Sequence, residues 1–337
     1  MSQRFEMPKT FRPMLSATVG KGYNSVEEHL EKLKYQGLFP LYCSPKLDGI
    51  RVVNHPTEGV VTRTMKQIPN RYISQQLQTF TELIGTDGEL VCGDPKSPQV
   101  FNFTQSEVMT RHEYNRPTPF TYVVFDHIQD YTADYERRME YARKAVNLFE
   151  ERYGSTINPN NEPFKWSVQF VETLKADNPS EVLKFDEHCV SQGYEGTMIR
   201  SFDSTYKFGR STEKQMFLGK IKRFVDAEAI IVDAEELLSN QNEAKDDAFG
   251  LTKRSSHQEN LKPMNVLGAM VVKVSNGRFA GAQVNVGTGF DQADRWHMWN
   301  MHRANQLIGK RITFKYQDHG SKDVPRMPVF KGFREIE

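Results

Sequence analysis

The sequence predicts an α+β chain in two domains: mixed helices and strands over residues 1–225, then a small β-barrel over 226–337. Three observations carry this. The length, 337 residues, exceeds the roughly 150 residues usual for one domain. Helical periodicity and β-prone runs alternate up to about residue 225. Beyond it the pattern changes to short β runs with one helix among them.

In chain order, Ser25-Val26-Glu27-Glu28 reads as a capping box opening a helix to about Tyr35, ended by Gln36-Gly37 with Pro40 beyond. Residues 41–53 read as strand, turn, strand, with the tight turn at Asp48-Gly49, where glycine accepts positive φ. Residues 60–62 form a strand running into a basic loop to Pro69. Ile73, Leu77, Phe80 and Ile84 share one face of a helix stopped by Gly85. Asp87-Gly88-Glu89 reads as an acidic turn entering a strand. Residues 102–112 are mixed and compatible with a helix. A strong strand spans 120–128. The helix over 134–153 places Ala142, Val146, Phe149 and Tyr153 on one face. Residues 154–163 form an Asn- and Pro-rich surface loop. Asn178-Pro179 then caps a helix that ends at Gly193. Strands follow at 196–200 and 215–223. Runs at 227–232, 268–274, 283–286 and 311–316, with a helix near 291–307, fit a Greek-key barrel of the OB-fold type. Residues 237–267 are a polar insertion too long for an ordinary turn.

Composition excludes several classes. Lysine and arginine total 44 against 43 acidic residues, a net charge of +1, so a nucleic-acid surface must come from charge distribution. One window supplies it: residues 195–223 hold seven basic side chains and three acidic ones. No apolar run approaches the ~20 residues that span a bilayer, and the first residues lack the apolar core of a secretory signal. Three scattered cysteines (43, 92, 189) argue against a disulfide framework and for a reducing, intracellular compartment. They have no histidine at ligand spacing, which disfavours zinc. The absence of G-x-x-x-x-G-K-[ST] removes the commonest route to ATP binding.

The chemistry-bearing stretches are Ser44-Pro45-Lys46-Leu47-Asp48-Gly49-Ile50-Arg51, Asp87-Gly88-Glu89, Tyr122-Val123-Val124-Phe125-Asp126, Glu195-Gly196-Thr197-Met198-Ile199-Arg200 and Lys220-Ile221-Lys222. A lysine attacks well only without its proton, a state that burial and neighbouring cations favour. Lys220 and Lys222 alternate with Ile221, so on a strand they share one face and put two cations beside Lys46.

This ordered series, each member at a predicted strand end, resembles the covalent nucleotidyltransferase superfamily of ATP-dependent DNA ligases, RNA ligases and mRNA capping enzymes. The resemblance implies that residues 1–225 are a nucleotidyltransferase (adenylation) domain. It implies that Lys46 takes AMP from ATP, with Asp48, Lys220 and Lys222 in the catalytic group. Glu89 would accept the ribose hydroxyl and Phe125 would stack on adenine. Glu195, with Glu89, would help hold a divalent metal, Mg²⁺ or Mn²⁺. Arg51 and Arg210 resemble nucleotide contacts, and Arg63 and Arg210 resemble contacts to a nick, Arg63 facing its 5′-phosphate. Further stretches, 222–229, 285–291 and 320–330, look like DNA ligases in particular. The chain is most similar to the small Chlorella virus type, built from a nucleotidyltransferase domain and an OB domain.

That type implies a monomer acting on nicked duplex DNA, sealing 3′-OH/5′-phosphate ends through lysyl-AMP and DNA-adenylate, with no membrane partner. The insertion 237–267 resembles a β-hairpin latch closing around the duplex, mobile without DNA. Its charges cancel, so Lys253 and Arg254 are the expected phosphate contacts. Arg326, Lys331 and Arg334 are candidates for orienting pyrophosphate. Residues before Ser25 carry no functional reading. The alternatives are an RNA ligase, or one accepting RNA on one side of the nick, a capping guanylyltransferase, and a non-catalytic duplex-binding protein.

Overall fold

The computed structural model describes residues 5–111, 119–154, 156–157, 166–246, 252–255 and 257–334. The chain divides into two compact units, 1–222 and 223–337.

The first unit is built on two sheets. Its strands are β1 (Ala17–Thr18), β2 (Leu41–Pro45), β3 (Ile50–His55), β4 (Gly59–Thr62), β5 (Thr86–Cys92), β6 (Phe120–His127), β7 (Thr156–Ile157), β8 (Trp166–Phe170), β9 (Leu174–Ala176), β10 (Gly196–Ser201) and β11 (Gly219–Lys222). Its helices are α1 (Val26–Tyr35), α2 (Arg71–Thr79), α3 (Val100–Val108), α4 (Tyr135–Tyr153) and α5 (Pro179–Ser191). One sheet has the order β4-β3-β5-β6-β8-β7 and the other β1-β11-β10-β2-β9. In the larger sheet only β6 and β8 pair in parallel, and α4 supplies the crossover such a pair needs.

Each sheet buries its own core. Val52, Leu90, Tyr122, Val124 and Trp166 pack with Ile73, Leu77, Ala142, Val146 and Phe149 of α2 and α4. Leu41, Cys43, Ile199 and Ile221 pack with Leu30, Leu33 and Val182 of α1 and α5. The caps act as expected at Ser25 and Asn178, and Asp134 caps α4 in the same way: each side chain accepts from the backbone N–H three residues on. At Ser25 only half of the box forms, because Glu28 accepts from Asn24 instead.

Several expectations change. The strands around Lys46 are not a hairpin: β2 belongs to the smaller sheet and β3 to the larger, so the Lys46 loop crosses between them. Gly49 is absent from the positive-φ residues. It is required because a Cβ there would meet the Leu90 carbonyl at 2.4 Å. Asp87-Gly88-Glu89 lies inside β5 rather than in a turn, and Gly88 is needed where a Cβ would meet the Val123 carbonyl at 2.6 Å. The helix α2 ends at Thr79, and a 3-10 turn (Thr81–Leu83) puts Leu83, not Ile84, in the core. The mixed stretch is the helix α3, and His112 lies outside the described residues. Of the loop 154–163, only Gly154, Thr156 and Ile157 are described. The strand expected from 215 begins at Gly219, after a turn in which Met216 has φ 46°.

The second unit is a five-stranded sheet of order β16-β15-β12-β17-β18, with β12 (Val225–Asn240), β15 (Leu261–Val274), β16 (Gln283–Val286), β17 (Arg311–Gln317) and β18 (Arg326–Arg334). It curls until its two edges meet: Thr288 bridges Val329 in parallel, and Phe330 N–H donates to the Thr288 carbonyl at 2.9 Å. The helix α6 (Gln292–Arg303) opens with a capping box between Asp291 and Asp294. It contributes Met298 to a core with Ile231, Val272, Val286 and Phe314. Much of the 237–267 insertion is strand: β12 and β15 extend as two arms paired out to Asn240 and Leu261. A small hairpin, β13 (Ala244–Asp246) with β14 (Thr252–Arg254), sits beyond them. Residues 247–251 and 256 of that expectation lie outside the described residues.

Candidate active site

The site follows from strand register. Thr197 on β10 faces Pro45 on β2, and Gly196 faces Lys222 on β11. Lys46 N–H donates to the Gly196 carbonyl at 2.8 Å. Glu195, the residue just before, is thereby inserted between the two lysines. Its Oε2 accepts from Lys46 Nζ, and its Oε1 pairs with Lys222 Nζ at 2.9 Å. The Glu195 side chain is 1% exposed, against 16% for Lys46. Burial works to raise its pKa, but the two ammoniums outweigh that and hold the carboxyl near 2. Lys46 thus pairs with a carboxylate, in addition to lying near the cations of Lys220 and Lys222.

Lys220 lies two residues before Lys222 on β11 and, like it, is half-buried, while Gly219 and Ile221 are buried. The two lysines share one face, as the alternation implied. Burial, then Lys222, Lys46 and Arg210, push the Lys220 ammonium down to about 8. Glu89, opposite Arg51 across β3 and β5, moves the other way. Burial raises it to about 7, against the pull of Lys46 and Arg51, and Asp48 and Asp87 add to the rise. Asp48 is buried.

Phe125 owes its direction to a bulge. Asp87 pairs with Asp126 and Gly88 with Val124, which leaves Phe125 without a partner opposite. Such bulges re-aim side chains, and Phe125 is half-buried in a strand whose neighbouring residues are buried. Two guanidiniums flank its ring, Arg51 at 5.4 Å and Arg200 at 5.3 Å from the centroid. Arg51 is itself held: Nε donates to Asp87 Oδ1 at 2.9 Å and Nη2 to Asp87 Oδ2 at 2.5 Å. It also donates to the Met14 carbonyl and the Tyr206 hydroxyl.

The structure therefore gathers Lys46, Asp48, Arg51, Glu89, Phe125, Glu195, Lys220 and Lys222. Arg210 borders the group. It is exposed, close enough to act on Lys220 electrostatically, and donates to the Ser16 carbonyl at 2.9 Å. Arg63 is exposed on the loop after β4 and joins none of these contacts. In the second unit, Lys253 stands on β14 opposite Lys245, and Arg254 donates to the Asn242 carbonyl. Lys331 pairs with Asp226 at 2.6 Å and Arg334 with Glu228, both across to β12.

Sequence reasoning missed the supports. Residues 11–19 bury Phe11, Met14, Ala17 and Val19. Their strand β1 runs parallel to β11, Thr18 opposite Lys220, and braces the lysine strand. Arg138, Arg200 and Tyr206 were also missed. The signal for Arg138 was present, since it falls on the 135, 138, 142, 145, 149 face of α4, whose other members are buried. Among the described residues no group of three or more His, Cys, Asp or Glu gathers as a metal cage, and no helix is long and apolar enough to cross a membrane.

A lysine suspended between two sheets of one unit, in a chain whose other unit is a curled five-stranded sheet with one helix, defines the class. Residues 13–222 match the family model of the ATP dependent DNA ligase domain, and residues 260–334 that of the DNA ligase OB-like domain. The chain belongs to the ATP-dependent DNA ligase family. Among particular members it is similar to Chlorella virus DNA ligase-adenylate, with 30% identity over 97% of this chain and 99% of that one, and a TM-score of 0.51. It is also similar to a DNA ligase of African swine fever virus, at 33% identity over 66 residues, 20% of this chain; the match spans only 16% of the viral protein. A Lig E DNA ligase, 22% identical with a TM-score of 0.59 over 96% of this chain and 99% of that one, shares the fold.

Proposed function

We propose that the chain seals nicks in duplex DNA at the expense of ATP, as a monomer in the cell interior. One observation carries this reading: Glu195 holds both Lys46 and Lys222 within a cluster that also contains Lys220, Glu89 and Phe125. In the first step Lys46 Nζ, its proton released to solvent, forms a bond to the α-phosphorus of ATP as the bond to the pyrophosphate oxygen breaks. Lys220 and Lys222 stabilise the charge on the phosphoryl oxygens. Phe125 stacks on adenine, and Glu89 accepts from the ribose. AMP then passes to the 5′-phosphate of the nick, and attack by the 3′-hydroxyl releases it. Arg63, Arg210, Lys253 and Arg254 supply contacts to the DNA backbone.

The donor set fits Mg²⁺ (or Mn²⁺) brought with the triphosphate. Such an ion is ordinarily held by one or two carboxylates together with phosphates, not by an all-protein cage. Glu195 and Glu89 offer the oxygens; burial raises the Glu89 carboxyl to about 7 even with Lys46 and Arg51 nearby. When bound, the ion neutralises negative charge on the phosphoryl oxygens.

The test is incubation with labelled ATP and Mg²⁺, followed by nicked duplexes carrying DNA or RNA on each side. The expected results are an adenylyl label absent from Lys46→Ala and sealing of the all-DNA nick. A label retained by Lys46→Ala refutes the proposal. Sealing confined to RNA-containing nicks reassigns the substrate.

A further inference from the structure

Asp87 and Asp126 stand opposite each other on β5 and β6, both fully buried. Two carboxylates in that relation repel unless compensated. The compensation comes from three guanidiniums on separate elements. Arg51 of β3 grips Asp87, and Arg200 of β10 and Arg138 of α4 both grip Asp126. The two guanidiniums flanking the Phe125 ring, Arg51 and Arg200, are thus the outer ends of one network whose centre lies directly behind the bulge.

Arg138 is the member with no access to the cleft. Its side chain is 0% exposed, and each of its bonds locks a different piece of the surroundings. Nε donates to Asp126 Oδ1 at 2.8 Å, and Nη2 to Asp126 Oδ2 at 3.4 Å. Nη1 donates to the Ala133 carbonyl at 2.7 Å and the Ser204 carbonyl at 2.6 Å. Its guanidinium also lies 5.6 Å from the ring of Tyr206, whose hydroxyl donates to Asp87 Oδ2 at 2.6 Å. Arg138 therefore fixes the Asp126 carboxylate that aims Arg200, and through Tyr206 it touches the Asp87 branch that aims Arg51.

We propose that Arg138 is a positioning residue for the nucleotide platform, fixing Phe125 through Asp126, Arg200 and Tyr206 without touching the substrate. The proposal rests on the reading of Phe125 as the surface on which adenine stacks. A base stacked on an aromatic ring gains roughly one to two decades of affinity, so a ring released from its flanking groups costs about tenfold.

The experiment measures Lys46 adenylylation in the full chain as a function of ATP for Arg138→Met, Phe125→Leu and the double variant. The expected result is a KM for ATP raised about tenfold by each single change, with kcat within about threefold. The double variant should be no worse than Phe125→Leu alone, because both changes act through one ring. Arg138→Lys keeps the charge but not the fork to two carbonyls and a carboxylate, and should fall between wild type and Arg138→Met. It also keeps the test decisive if Arg138→Met does not fold. An unchanged KM in both Arg138 variants, or losses that multiply in the double variant, overturn the proposal.

A second readout is independent of activity. Hydrogen–deuterium exchange over residues 122–128 should accelerate in the Arg138 variants while residues 266–274 of the other unit stay unchanged. Unaltered exchange over 122–128 also overturns the proposal. Failure of the wild-type chain to adenylylate Lys46 would remove the functional reading and leave the exchange result to decide whether Arg138 holds the bulge.

Discussion

Replacing Lys220 with methionine should stabilise the protein while abolishing its chemistry. The ammonium of Lys220 sits beside Lys222, Lys46 and Arg210 in a partly buried position, and its pKa falls from 10.5 to about 8. A drop of that size corresponds to about 3 kcal/mol against the folded state, and screening at a half-buried site reduces it to about 1–2 kcal/mol. A base whose folded pKa lies below its unfolded value weakens the fold most at pH below 8, and the penalty fades as pH climbs to 10.5. Lys220→Met should therefore unfold at higher urea than wild type at pH 7, by about 1–2 kcal/mol, with the advantage shrinking by pH 10. The same variant should form no adenylyl-enzyme. The assay is urea denaturation of both proteins at pH 7 and pH 10, followed by fluorescence. A Lys220→Met protein equal to or weaker than wild type at pH 7 would refute the charge accounting at this site.

Two further changes probe the same region. Glu195→Gln should destabilise the fold at pH 7 by about 3 kcal/mol, the worth of a carboxyl held near 2 instead of 4.5. That stabilisation is complete above pH 4.5 and is lost as pH falls toward 2, so the urea midpoints of variant and wild type should converge under acid; a gap independent of pH contradicts it. Gly49→Ala would place a Cβ 2.4 Å from the Leu90 carbonyl and 3.0 Å from Glu89 Cγ. The strand junction must then shift, at a cost of about 1–3 kcal/mol, and adenylylation should slow because Glu89 and the Lys46 loop move with it. Wild-type stability and rate in that variant would show that the close approach is not required.

What the sequence showed, and what it hid, follows from the range of the interactions involved. Lys46, Glu195, Lys220 and Lys222 were legible because short motifs mark them, and strand alternation placed the last two together. The partner of each strand was not legible. The residues around Lys46 look like a local hairpin, but β2 pairs with β10, more than 150 positions away, and local turn chemistry is silent about that. Gly49 and Gly88 looked like turn residues because glycine serves both positive φ and close backbone approach; here the second reason holds. The arms of β12 and β15 read as a loop because their pairing is carried by backbone hydrogen bonds while few of their side chains are buried, so no alternation shows. β18 was missed because Pro328 and Gly332 interrupt its pattern, which an edge strand tolerates. Arg138 was hidden by its residue type alone, since its spacing already put it on the buried face.

Charge explains why so much of the support is buried. The cluster sets Lys46, Lys220 and Lys222 around Glu195, whose oxygens pair with Lys46 and Lys222. A carboxyl held near 2 is too weak a base to draw a proton strongly; what it provides is direction, fixing the Lys46 side chain on the line between the two sheets. Burial, Lys222, Lys46 and Arg210 disfavour the charge on Lys220, and Glu195 offsets only part of that. Under the proposed function, a charge kept at that cost serves the phosphoryl oxygens and not stability. Such a cluster stays together only if its walls cannot move apart. The Asp126 link to Arg200 on one sheet and Arg138 on α4, together with β1 laid along β11, supplies that restraint from outside the cleft.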